Sequence, residues 1–151
     1  MLVPYFDGER TPNLPHATGT FAGLRHETTT PANLARAAVE GVLCGLADGL
    51  DALRADRLPV RRIILIGGGA RSRAVQAVAP AVFGAPVRVP HPSEHVADGA
   101  ARQAAWAVSG EVAPPPWELP AGPVVEADPA PGVRDQYALV RDLATCAAGG
   151  A

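Results

Sequence analysis

The chain has 151 residues, with 13 cationic side chains against 15 carboxylates, a formal charge of −2 and a pI near 6.0. This length suits one domain with a real core, and the charge balance leaves no electrostatic case for nucleic acid or an anionic membrane as partner. No apolar run reaches membrane-spanning length and no basic-then-apolar leader opens the chain, so a cytoplasmic protein is expected.

Leu2 to Phe6 is a short apolar stretch that runs into a loop dense in Pro and Gly, from Asp7 to His16, where Glu9 and Arg10 are displayed. Residues 19–26 alternate well enough for a strand, with Phe21 and Leu24 as its larger apolar side chains. Thr28, Thr29 and Thr30 before Pro31 supply N-cap candidates with proline at the first helical position. The spacing of Leu34, Ala38, Val42, Leu46, Leu50 and Leu53 predicts a helix from about Pro31 to Arg54 with that stripe facing the core. The same helix carries Gly41, Gly45 and Gly49. Each interior glycine costs about 1 kcal/mol relative to alanine, so the repeat predicts close approach of another backbone. Glu40, Asp48 and Asp51 exclude a membrane dimerisation motif here.

The centre of the chain is residues 61–73. Ile63 to Ile66 is an unbroken apolar run suited to a strand buried on both faces of a mostly parallel sheet. Gly67, Gly68 and Gly69 end it, and with no Cβ they let a ligand lie against bare backbone. Ser72 or Ala70 then opens an apolar-periodic helix through Val75, Val78, Ala79, Val82 and Phe83, which stops at Gly84. In open α/β sheets ligands bind at such a junction, beyond the carboxyl end of a strand and beside a helix N-terminus. The stretch is neither of the two common phosphate fingerprints, and the chain contains no lysine.

Pro86 to Pro90 reads as a short strand, followed by the loop His91 to His95 and a small-residue helix from Ala97 through Ala100, Ala101, Ala104, Ala105 and Val108 to about Gly110. His91, Glu94 and His95 do not make a metal site, because they lie in a loop with a proline between the imidazoles and no further ligand set is nearby. Residues 111–132 are dense in proline and read as a linker or surface strap anchored by Trp117. Tyr137, Leu139, Val140 and Leu143 predict a last helix with a frayed end. Cys44 and Cys146 are far apart, have no His or Cys at metal spacing, and are read as free thiols in a reducing compartment.

Three stretches resemble one family. Pro4 to Pro12 contains Gly8-Glu9-Arg10-Thr11-Pro12, similar to a loop of xylulose kinases. Gly19-Thr20-Phe21-Ala22-Gly23-Leu24, followed after eight residues by Asn33 to Glu40, matches the C-terminal signature of the FGGY carbohydrate kinases. Gly67-Gly68-Gly69-Ala70-Arg71-Ser72 resembles the adenosine motif of that family, with Gly99-Ala100-Ala101 downstream like its Gly-Ala-Ala helix start. The resemblance implies the C-terminal part of a two-domain sugar kinase. Its fold would be α/β, a partial ribonuclease-H-like, actin-like ATPase domain with a mixed sheet flanked by helices.

In such enzymes the C-terminal domain carries the adenine and ribose site. Carried over, Gly67 to Ala70 would wall the nucleotide, ATP or ADP, with Arg71 and Ser72 near its edge, and the Gly41/Gly45/Gly49 face could pack beside it. The parent reaction would be ATP plus D-xylulose giving D-xylulose 5-phosphate and ADP, with Mg2+ in the complete enzyme; glycerol, ribulose and gluconate are the alternative substrates within the family. The aspartate that takes the sugar hydroxyl proton lies upstream of the Gly8–Pro12 loop in that family, and the sugar and phosphate contacts lie on an N-terminal domain. This chain is therefore expected to be inactive alone, and neither Asp7 nor Glu9 takes a base role from the resemblance. The expected division is 1–110 as a nucleotide-binding domain lacking its first strands, 111–132 as the strap, and 133–151 as terminal helix and tail. The missing strands would leave an open sheet edge, from which a homodimer is expected. The reading from a different class is a non-catalytic α/β binding or oligomerisation module whose glycines serve packing alone.

Overall fold

The computed structural model describes residues 1–11, 13–117 and 122–148, so Pro12 and, of the expected frayed end at 147–151, residues 149–151 lie outside the described residues. Two short strands open the chain. β1 (Leu2–Val3) pairs antiparallel with β2 (Thr20–Phe21), placing Leu2 opposite Phe21. Only these two residues of the expected 19–26 strand join the ladder, and Phe21 and Leu24 are both exposed. The apolar positions that count are instead Leu2, Val3 and Tyr5, all buried.

Between the two strands, the loop folds on itself. Gly8 has φ 79°, a left-handed backbone that suits glycine, and a Cβ there would strike the Pro15 carbonyl. Glu9 exchanges backbone hydrogen bonds with Leu14 at 2.9 and 2.8 Å, and its carboxylate accepts from the backbone N–H of Arg10 at 2.7 Å and of Thr11 at 3.1 Å. Glu9 thus holds its own turn.

α1 (Pro31–Ala55) begins as its sequence dictates: the Thr30 hydroxyl accepts from the Asn33 N–H at 3.2 Å, and Pro31 occupies the first turn, where its missing donor costs nothing. Its orientation differs from the expectation. The residues turned inward are Gly41, Leu43, Cys44 and Ala47, whereas Val42, Leu46 and Leu53 of the expected core stripe are 51%, 54% and 44% exposed. The reason lies in Gly41. The helix crosses β1 so closely that a Cβ on Gly41 would collide with the Leu2 carbonyl oxygen, and only the glycine side of the helix permits that approach. The expected close backbone approach is therefore real at Gly41, but it does not extend along the stripe, since the space around Gly49 is open.

β3 (Ile63–Ile64) runs parallel to β4 (Val87–Arg88), with Ile63 opposite Val87. Between them come a 3-10 turn (Gly68–Arg71) and α2 (Arg73–Phe83), which packs on α1. α2 is closed at both ends by predicted residues. The Ser72 hydroxyl accepts from the Val75 N–H at 3.4 Å, and Gly84, at φ 63°, forms the left-handed C-cap with its N–H donating to the Pro80 carbonyl at 2.9 Å. α3 (His95–Ser109) follows β4 and ends at Gly110, φ 68°. None of its side chains is buried, and Val96 and Val108 are 80% and 89% exposed.

The segment expected as a linker or surface strap contributes a strand. β5 (Val124–Val125) pairs antiparallel with β4, making β3-β4-β5 a mixed sheet. Gly122 permits the approach, because a Cβ there would strike the backbone of Val89 and Pro90. The strap is tied down by α3 and β4, and Trp117, the expected anchor, is 40% exposed. Arg102 Nε donates to the Pro115 carbonyl at 3.0 Å, Trp106 Nε1 to the Glu111 carbonyl at 2.7 Å and Arg88 Nη1 to the Gly122 carbonyl at 3.1 Å.

α4 (Pro131–Ala148) closes the core by packing on β1, α1 and α2, and it buries Tyr137 and Val140. Asp48 on α1 accepts from Arg134 at 3.0 Å and Arg141 at 2.7 Å, and Asp51 accepts from Arg134 at 2.8 Å, so two arginines of α4 clamp two carboxylates of α1. Cys44 sits in this core as a free thiol, and burial pushes it up to about 11, which keeps it protonated and unreactive at neutral pH. The side chain of Cys146 lies outside what is described.

Gly41 and Gly49 should respond oppositely to the same substitution. Gly41→Ala forces a methyl group into the β1 backbone and is expected to cost about 1–3 kcal/mol. Gly49→Ala enters open space in a helix interior and should stabilise by up to about 1 kcal/mol. Urea unfolding of the two variants checks this; equal effects would remove the close approach as the reason for the inward glycine.

Candidate functional site

β3 and β4 run side by side and end together, and the hydrogen bond from Leu65 N–H to the Arg88 carbonyl at 2.9 Å carries their pairing one residue further. Beyond that point the two chains separate, one into the glycine turn and the other into the His91–His95 loop. The space between them is a cavity of about 650 Å³.

One wall is the glycine turn. Gly67 has φ 89° and ψ −175°, a backbone region essentially restricted to glycine, and this redirects the chain out of the sheet. The turn then closes through Ala70 N–H to the Gly67 carbonyl at 3.2 Å and Ser72 N–H to the Gly69 carbonyl at 3.1 Å. Ala70 is buried and anchors the turn from below, while the three glycines face outward, and a Cβ built on Gly67, Gly68 or Gly69 would meet no atom within 4 Å. The wall is bare backbone with room in front of it. Of the six residues predicted for the site, Gly67, Gly68, Ala70 and Arg71 line this cavity, and Gly69 and Ser72 do not. Ser72 has its hydroxyl committed to capping α2.

The facing wall comes from Val89, Pro90, Pro92, Ser93, Glu94 and His95. Sequence reasoning weighed this loop for metal or acid–base chemistry and not as the wall of a cavity. Among the described residues there is no group of three or more His, Cys, Asp or Glu side chains able to hold a metal ion. The signal that would have found the loop is topological: two parallel strands joined by one helix present their carboxyl ends on the same side, so the loop after the second must face the turn after the first. Ser93 is fixed in that wall by donating to Asp98 at 3.2 Å.

Gln76 also escaped the sequence reading. It lies one turn into α2, lines the cavity, and donates from Nε2 to the Ala70 carbonyl at 2.7 Å. The bond pins the 3-10 turn to the helix that follows it. The glycine stripe of α1 and residues 8–11 of the loop between β1 and β2 do not take part, since none of these described residues lines the cavity. The expectation that Gly41, Gly45 and Gly49 sit beside this site is thereby corrected: Gly41 is occupied by β1.

Residues 1–108 match the FGGY family of carbohydrate kinases, C-terminal domain. The chain belongs to this family. It is 47% identical over 130 residues to the xylulose kinase of Streptomyces coelicolor, covering 83% of this chain and 27% of that protein. The crystal structure of xylulose kinase from Bifidobacterium adolescentis superimposes with a TM-score of 0.80 at 51% identity, over 93% of this chain and 28% of that one. A glycerol kinase of Bordetella parapertussis is 35% identical over 109 residues, covering 71% of this chain and 21% of its own length. The chain thus spans about a quarter of the length of the relatives it matches. Its fold is that of the FGGY C-terminal domain, an actin-like α/β arrangement of mixed sheet and flanking helices.

Within this FGGY domain the Gln76 bond is open to direct test. Gln76→Ala leaves the partly buried Ala70 carbonyl without that donor and should cost about 1–2 kcal/mol, the usual scale for an orphaned polar group. Hydrogen exchange should quicken at the amides of Ala70 and Ser72 before the rest of α2. Exchange that rises uniformly along α2 would mean that Gln76 supports the helix and not the turn.

Proposed function

We propose that this chain is the nucleotide-binding part of an ATP-dependent sugar kinase whose reaction converts ATP and D-xylulose into D-xylulose 5-phosphate and ADP. The observation that carries the reading is the open glycine wall at the carboxyl end of β3, opposed by a second loop across a cavity large enough for a small-molecule ligand. Adenosine would lie against Gly67 to Ala70, with Arg71 at the edge of the cavity and Ser72 fixing the helix N-terminus behind it. Xylulose is favoured over glycerol or gluconate by identity, since the xylulose kinases named above share 47% and 51% of their matched residues with this chain against 35% for the glycerol kinase, and by the Gly8–Pro12 loop. A cytoplasmic location goes with this reading.

Phosphoryl transfer depends on positioning, on a base that orients the nucleophile and on metal ions that bridge the phosphates. The described residues do not fit a magnesium site of their own, since Glu94 is the only carboxylate at the cavity and no cluster of acidic residues accompanies it. Glu9 is engaged in its own turn. This chain's share of the reaction is therefore to hold and orient the nucleotide, and it is expected to be inactive alone.

Titration with ATP and ADP by calorimetry or NMR tests the reading. Saturable binding is expected, with shifts at residues 66–71, and Gly68→Val should abolish it by placing a branched side chain in front of the glycine wall, at a position where an added Cβ meets no atom within 4 Å. The absence of binding at millimolar nucleotide would defeat it.

A second reading, an α/β oligomerisation module, is favoured by the outer face of α1. Val42, Leu46 and Leu53 form an exposed apolar stripe on the side opposite the core. Here a homodimer is expected in light scattering, dissociated by Leu46→Glu. A monodisperse monomer at high concentration would dispose of this reading and leave the nucleotide site untouched.

A further inference from the structure

The bulk charge of −2 hides a local concentration of the opposite sign. At the far end of β3 and β4 from the glycine turn lies a second hollow, of about 250 Å³. Four arginines border it: Arg54 from the end of α1, Arg61 and Arg62 from the lead into β3, and Arg88 from β4. No carboxylate lines it, and the remainder of the lining is apolar, with Val60, Ile63 and Pro86 prominent.

Isolated surface arginines are ordinary and usually neutralised by neighbours or solvent. These differ in their pairing. Of the four, Arg54 reaches a carboxylate, Asp51 at 2.9 Å, and that carboxylate is shared with Arg134. Arg61, Arg62 and Arg88 form no ion pair among the described residues. Arg88 spends one donor on the Gly122 carbonyl, which fixes its direction and leaves most of its guanidinium donors available. Three separate segments of chain thus bring like charges to one concavity, and among the described residues only Asp51, on Arg54 and shared with Arg134, offsets any of them. A guanidinium presents its donors as a planar fork that matches the oxygens of a phosphate, and several around one hollow select for a compact, multiply charged oxyanion. The apolar floor adds a second requirement, because inorganic phosphate would leave it bare.

We propose that this hollow binds a small organic phosphate, with the phosphoryl group held by Arg61, Arg62 and Arg88 and the organic part resting on Val60, Ile63 and Pro86. The site is distinct from the cavity at Gly67 to Arg71 and stands at the opposite end of the same two strands. The proposal does not depend on the sugar-kinase reading.

The test uses the full 151-residue chain carrying Gly68→Val, so that the glycine wall is obstructed, and shifts at the arginine hollow are read separately from any at residues 66–71. Phenyl phosphate and inorganic phosphate are titrated at constant ionic strength, following backbone amides by NMR. Saturable shifts confined to residues 60–64 and 85–88 are expected, with phenyl phosphate binding more tightly than inorganic phosphate. Arg62→Gln should weaken phenyl phosphate about tenfold, the loss of one charge-assisted contact, while Arg36→Gln, elsewhere on the surface and paired with Glu40, should leave it within about twofold. No saturation at millimolar phenyl phosphate overturns the proposal. So does equal weakening by Arg36→Gln, which would reduce the effect to diffuse charge. Equal affinity for the two phosphates would remove the organic ligand, and an oligonucleotide that displaces phenyl phosphate with affinity rising with its length would make the hollow part of a polyanion surface. Unchanged circular dichroism of Arg62→Gln separates lost binding from lost fold.

Discussion

The contact on which the rest of this molecule depends is the crossing of α1 over β1 at Gly41 and Leu2. A helix normally stands off a strand by the thickness of its side chains; here a missing Cβ lets one backbone rest on another. That approach turns Leu43, Cys44 and Ala47 inward beside Val3 and leaves a site that α4 fills with Tyr137, whose hydroxyl lies beside Gly45. α2 then packs along α1, and because α2 starts at Ser72, its placement fixes the glycine turn at the mouth of the cavity. The candidate site is thus positioned by a contact made on a different sheet.

Much of this was legible because it is written in local chemistry. Thr30 and Pro31 start α1, Ser72 starts α2, and Gly84 and Gly110 end α2 and α3 where the sequence placed them. Caps and left-handed stops act within a few residues, so they survive translation from sequence to structure. The face of α1 did not survive. Its apolar residues surround two opposite sides, and periodicity then gives the helix but not its rotation. What decides the rotation is Gly41 against a strand thirty-nine positions earlier in the chain, and no window of sequence contains both.

β5 and the far wall of the cavity were missed for the same kind of reason. Val124 and Val125 are too short a run to announce a strand, and they become one because β4 offers an unpaired edge and Gly122 allows the chain close to it. Glu94 and His95 were weighed with His91 as metal ligands and set aside, and Ser93 carried no signal at all. In the fold they are simply what faces the glycine turn, and their importance comes from position and not from residue type. Gln76 is hidden more deeply, since a glutamine in the first turns of a helix is ordinary until its amide is found on the Ala70 carbonyl.

The two ends of the parallel pair differ in what they offer a ligand. At the carboxyl end the wall is largely backbone: glycines with open space before them, a committed Ser72, one guanidinium from Arg71 and a single carboxylate across the gap. Such a surface recognises shape and stacks against a flat group, but it supplies little charge to neutralise a phosphate chain. At the amino end the reverse holds, with guanidiniums in excess and no carboxylate among the lining residues. A nucleotide held at the first would therefore keep its phosphates directed out of the cavity, toward whatever supplies metal and base. The proposed division of labour follows from this: the glycine end fixes the nucleoside, and the charge stabilisation that transfer requires must come from groups this chain does not bring to that cavity.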